Sequence, residues 1–362
     1  MQKKKYGKKF LISLILLAIC GINMLLFHSF PDFFFPVYRN ISSSWQNILS
    51  AIFSFTEVAV WDIGLIVLAL AFIFYTITVI VGKRGFLTWL SNVLLVVCIL
   101  VFVAVNGWML NHYAPKLSES VGLTIEKYSE DELYDSCEYY LVKAGEYADK
   151  IVRDNEYHAL ESNFNDMAKT AGNSYESLSK KYPVFKGSNK PVKKLSVVGE
   201  YLMYNGIVGM FMPLTGESGV PESVPPVPMA FTMCHEAAHR LGIASEQEAN
   251  FAAFLACINS KESEFLYSGY YSAFSYCFSS LYGQNQERAL TLYEKYSEDR
   301  GVLLVRLDRH DTFEHYRKYE SVLQDISDDI NDTYLKTFSQ ESGIRSYGEV
   351  TDYLIAYYLT LR

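Results

Sequence analysis

Residues 229–258 read MAFTMCHEAAHRLGIASEQEANFAAFLACI, from Met229 to Ile258, and the organisation of the whole chain follows from them. His235 and His239 stand four apart, so on a helix both imidazoles share one face, one turn from each other. That is the spacing of a zinc clamp. Glu236 projects near the same face, where a carboxylate can take a proton from a metal-polarised water and return it to a leaving amine. The motif therefore points to peptide-bond hydrolysis. Gly242, just past the second histidine, predicts the end of this helix. Ser245 followed by Glu248 predicts a capping box that opens a second helix, with Phe251, Phe254, Leu255 and Ile258 as its buried face. In that role Glu248 is worth a helix cap, about 1 kcal/mol.

Zinc needs a third protein ligand and one open position for water. Of the two acidic residues that follow, Glu248 is accounted for by the box, whereas Glu246 shares a helix face with Asn250 four residues on. The expected ligands are therefore His235, His239 and Glu246, with Glu236 as the catalytic base. Asn250 is expected to orient a ligand from behind, as zinc sites generally require.

Glu246-Gln247-Glu248-Ala249-Asn250 resembles the ExxAD or ExxAN signature of gluzincin-type zinc peptidases, in which a glutamate from a following helix completes an HExxH site. The six residues between His239 and Glu246 are fewer than many such enzymes have. A metzincin pattern would put its third histidine at Ser245, so that assignment fails. Over nearly its full length the chain resembles a family of uncharacterised bacterial membrane proteins, domain of unknown function 3810. Its members have three amino-terminal membrane helices and an HExxH…ExEANF segment, and the resemblance implies a zincin-like peptidase without supplying a substrate.

Hydrophobic residues make up 50% of the 362, yet mean hydropathy is only +0.06, which implies membrane and aqueous parts in one chain. Three apolar runs of spanning length cover about 10–27, 63–81 and 86–110. The first follows five lysines within Met1–Lys9, and the last two form a tight hairpin around Lys83 and Arg84. Between them, Pro31 and Pro36 are expected to break any early helix, with 45–55 amphipathic at the membrane surface. The positive-inside rule puts the amino terminus in the cytoplasm and everything beyond Leu110 outside. The expected division is thus a membrane domain, 1–111, and an extracytoplasmic domain, 112–362. Of the chain's 32 basic and 40 acidic residues, 24 and 37 fall in the second part, which disfavours a nucleic-acid partner.

The outer part reads as mainly α (α+β), zincin-like and mostly helical with a small β element. Ser129 and Glu132 box the helix predicted from Ser129 to Val152, and others are expected at 175–182, 264–282, 284–296, 300–338 and 347–361. A short strand region lies within 193–220. Its edge, with Gly209, Met210 and Phe211 foremost, can hold a substrate backbone or be a purely structural hairpin. Pro221–Pro228 reads as a stiff linker into the metal helix. Arg345 or Tyr347 can stabilise an oxyanion if their turn folds over the site. His112 and His158 have no ligand-like company in sequence, His310 and His315 fall on different helix faces, and disulfides are open to Cys137, Cys234, Cys257 and Cys277. The expectation is a membrane-anchored zinc metallopeptidase in the cell membrane, with the lipid bilayer and a peptide or protein substrate as partners. The competing expectation is a non-catalytic receptor or scaffold with a structural or vestigial zinc site.

Overall fold

Apolar length decides the first third of the molecule. The computed structural model describes residues 2–83, 85–320 and 346–362. α1 (Gln2–Ser29), α3 (Val60–Val81) and α4 (Phe86–Gly107) are each long and apolar enough to cross a membrane. α1 and α4 run parallel, since Lys9 bonds Asn92 at one end and Asn23 Nδ2 donates to Asn106 Oδ1 at 2.6 Å near the other. Between apolar helices such polar pairs are the groups that set register. α3 runs back antiparallel to α4 and meets it through Tyr75–Asn92 and a 3.1 Å bond from Trp89 Nε1 to Thr76 Oγ1, but α4 packs chiefly on α1. The expected hairpin is there, though it is less tight than expected.

The segment after α1 corrects the expectation of a proline-broken loop. α2 (Pro31–Ile52) is one continuous helix. Pro31 opens it, where a fixed φ and a missing N–H cost nothing, and Pro36 falls early enough to forfeit a single backbone bond.

Beyond α4 come α5 (Leu117–Val121), α6 (Glu130–Ala148), α7 (Phe164–Lys181), β1 (Lys193–Lys194), α8 (Gly199–Met203), β2 (Met210–Met212) and β3 (Glu217–Val220). The remainder is α9 (Pro226–Arg240), α10 (Glu246–Ile258), α11 (Ser263–Gln284), α12 (Gln286–Lys295), α13 (Arg300–Arg317) and α14 (Ser346–Leu359). The Ser129–Glu132 capping box at the head of α6 forms as expected. Of the long helix expected over 300–338, α13 accounts for the start, and 321–338 lie outside the described residues. The last two prolines of the stiff linker, Pro226 and Pro228, are already the first turn of α9. All six cysteines are free and buried.

The sheet is small, ordered β1-β3-β2, with β1 parallel and β2 antiparallel to β3. α9 is buried along nearly its whole length, against α7, α10, α11 and β3. The two parts of the chain are stitched by hydrogen bonds across the expected boundary at residue 111. Asp62, fully buried at the head of α3, accepts from Val197 N and Val198 N at 2.8 Å each. Glu217 of β3 accepts from Val60 N at 2.9 Å and Trp61 N at 3.2 Å. The Asp62→Ala variant strands two backbone donors at this seam and should lower stability by on the order of 2–4 kcal/mol. Thermal unfolding of the full chain in nanodiscs checks this; an unchanged midpoint would show that the seam bears no load.

Candidate metal centre

Two helices and one glycine turn assemble the site. α9 ends at Gly242, whose φ of +89° favours glycine. There Gly242 N donates to His239 O at 3.0 Å and Ile243 N reaches back to Ala238 O at 3.2 Å, closing the helix end. The reversal aims the Ile243 carbonyl at the helix it has just left, and His239 Nδ1 donates to it at 2.7 Å. With Nδ1 committed as donor, Nε2 is the nitrogen that faces the site, and loss of its proton would leave its lone pair there. Ser245 then starts α10, and the first helical residue is Glu246. A glycine turn this tight is why six residues suffice between His239 and Glu246.

His235 Nε2 and His239 Nε2 lie 3.0 Å apart; Glu246 Oε2 is 3.2 Å from the first and Oε1 3.6 Å from the second. Ligand atoms of all three residues lie within 4.8 Å of one another. Tetrahedral bonds of 2.0–2.1 Å to zinc imply edges of about 3.3 Å. The observed separations bracket that value, so the donor set fits a zinc-sized ion in size and in chemistry.

Charge follows the geometry. Burial opposes ionisation of Glu246, yet His239 and hydrogen bonds from both histidines hold its carboxyl well below the usual range. Burial likewise opposes charge on His239, but Glu246 prevails and raises it to about 9. Glu236 is the contrast. It is 4% exposed, burial pushes its carboxyl up to about 7 against the pull of His235 and His239, and Oε2 has no hydrogen-bond partner among the described residues. Gly209, just before β2, leaves room for it: a Cβ there would fall 2.5 Å from Glu236 Oε1.

Three side chains pin α9 by its own carbonyls. Tyr175 OH of α7 donates to Cys234 O at 2.9 Å, Ser218 Oγ of β3 to Glu236 O at 2.6 Å, and Trp108 Nε1 to His239 O at 2.8 Å. Each bond sits on a site residue or its immediate neighbour, so the side of α9 that carries His235 and His239 is held from behind.

Among the other sequence candidates, Asn250 is buried on α10, with Nδ2 unpartnered among the described residues. Phe211 is buried between Trp108 and Ala244, while Met210 and Met212 of β2 pack toward Trp61 and Leu195. Arg345 lies outside the described residues, and of Tyr347 only the backbone, at the start of α14, is described.

Glu248 is a correction. No side-chain cap forms at Ser245; Glu248 Oε1 instead accepts from Leu117 N of α5 at 2.7 Å and Tyr353 OH of α14 at 2.9 Å. Burial raises its carboxyl, and those two bonds only partly offset the effect. A long-range amide and a tyrosine hydroxyl outcompete the local backbone because packing brings both to one point.

Sequence reasoning missed Trp108 and His112. The His112 ring lies edge-on to Trp108 at 5.7 Å, and the Trp108 ring lies 6.2 Å from that of His239. Burial holds His112 down at about 4, and the charge of His239 adds to this, so it is a neutral neighbour of the cluster. In sequence both residues look like the ordinary aromatic end of a membrane span.

The fold and site thus define a membrane protein, mainly helical, with a partly buried His-His-Glu cluster beside the end of its third span. The chain belongs to the family described as Protein of unknown function (DUF3810), whose model matches residues 35–355, from within α2 to within α14. No curated protein and no solved structure matches it.

The Glu248→Ala variant should cost on the order of 2–4 kcal/mol, since it orphans a buried amide and a tyrosine hydroxyl. Chemical denaturation reads the loss directly, and a value near that of a simple cap would restore the local role.

Proposed function

We propose that this protein is a membrane-anchored zinc metallopeptidase whose site faces away from the cytoplasm. One observation carries the reading: three ligand atoms at tetrahedral spacing stand beside a fourth residue, Glu236, that is buried, has no partner for Oε2 among the described residues and is raised to about 7. A structural site needs ligands but no such base. A bound zinc ion supplies Lewis-acid polarisation of a peptide carbonyl and of a water. His235, His239 and Glu246 hold it, and the Ile243 carbonyl keeps His239 in the right tautomer.

Glu236 does the proton work. A carboxyl poised near neutrality can accept the proton of the attacking water and pass it to the leaving amine. β2 is an edge strand of the sheet and leads directly out of Gly209, which abuts Glu236. A substrate in extended form can pair its backbone there, beside the base. With Phe211 turned inward, backbone rather than that side chain makes the contact. The lysine-rich amino terminus and Lys83 supply the positive-inside signal that sets the orientation.

The Glu236→Gln variant should keep zinc and fold while turnover of a peptide library falls about 10²- to 10⁴-fold. Cleavage at the parent rate would sink the mechanism. Glu246→Ala should abolish tight zinc binding in a metal titration, whereas Glu248→Ala retains it; the reverse result would reassign the third ligand. A cysteine introduced at the exposed Asn189 should react in intact cells with a reagent that cannot cross membranes. Reaction only after lysis would overturn the outward placement.

A further inference from the structure

α2 has three faces. One is docked: Tyr38 packs on Phe27 of α1, Ser42 Oγ donates to Gly107 O at 2.8 Å, Gln46 Nε2 donates to Pro213 O at 3.2 Å, and Ser50 Oγ to Ser188 Oγ at 2.8 Å. A narrow exposed flank carries Asn40 and Asn47. The third face is an exposed apolar stripe at helical spacing, Phe33, Val37, Ile41, Trp45, Ile48 and Ile52, with no charge in it. Nothing in the protein covers it among the described residues.

We infer that α2 is an in-plane membrane helix whose apolar stripe is buried in the same bilayer that α1, α3 and α4 cross. The surface is continuous with theirs. α1 ends at Ser29 and α2 begins at Pro31; Ser42 sits on the last carbonyl of α4; eight residues after Ile52, α3 begins at Val60. All three outer span ends therefore lie along one helix of about 33 Å, which must run across them rather than beside them. It does not span, because its docked face is bonded to Pro213 and Ser188 of the outer part. Of its two charged residues, Asp32 is at the first turn, and Arg39 turns to the domain, where Nη2 donates to Val184 O at 2.5 Å. Trp45, packed over Gly107, sits where interfacial tryptophans collect. A neutral stripe needs no anionic headgroup, so zwitterionic lipid suffices.

One consequence concerns position. The docked face touches Pro213 in the β2–β3 turn, so α2 holds the strand beside Glu236 at the height of the lipid headgroups. The inference rests on the three spans and not on the metal reading, and its test leaves peptidase activity aside.

Single nitroxides placed at 37, 41 and 48, and at Asn40 as the flank control, are read by spin resonance in the full chain in phosphatidylcholine nanodiscs. Because the six native cysteines are buried, labelling falls first on the introduced ones. At 37, 41 and 48 collision with oxygen should exceed collision with a water-soluble nickel chelate; at Asn40 the order should reverse. Nickel-dominated collision at the stripe would overturn the inference. So would dipolar broadening that disappears on dilution with unlabelled chain, which would make a second copy the occupant.

Discussion

A helix that carries two histidines and a glutamate through the middle of a protein must satisfy its polar groups from inside, and that constraint shapes everything around α9. Burial of unpaired polar atoms costs a few kcal/mol each, so the neighbours bring donors. Tyr175, Ser218 and Trp108 come from a helix, a strand and the end of a membrane span, and each donates to a carbonyl of the same helix. His239 is held at its far nitrogen by Ile243. Among the described residues Glu236 Oε2, like His235 Nδ1 and Arg240 Nε on the same helix, has no hydrogen-bond partner, and the fold makes room for the Glu236 carboxyl by placing a glycine, Gly209, opposite.

The same donors remove the boundary that composition draws. Trp108 is the residue after α4 and bonds α9; Asp62 of α3 accepts from the backbone just before α8, and Glu217 of β3 accepts from the first turn of α3. The aqueous part is therefore not a passenger on an anchor. A soluble fragment starting after residue 111 loses Trp108 and Asp62 and exposes the carbonyl of His239, so the geometry of the His-His-Glu cluster and the membrane helices are physically connected.

Legibility varied with the range of the interaction. The spans were readable because lipid imposes one rule, an uninterrupted apolar run, and the described helices match it. The Ser129–Glu132 box was readable because its partners are three residues apart, and it forms. The identical pattern at Ser245–Glu248 does not, because Leu117 and Tyr353, more than a hundred residues away, arrive at the same carboxyl. Pro31 and Pro36 signalled a break, but their position in the first turns costs little, and the docked face of α2 outweighs it.

By itself the sequence determined the three spans, the spacing of His235 and His239, the helix stop at Gly242 and the approach of Glu246. These depend on local chain geometry and on solvent. Only the tertiary structure decided that Trp108 and His112 stand beside the cluster, that Gly209 rather than a bulkier residue faces Glu236, and that Glu248 ties three helices together. Those arrangements join residues far apart in the chain, where no local periodicity records them and only packing selects the partner.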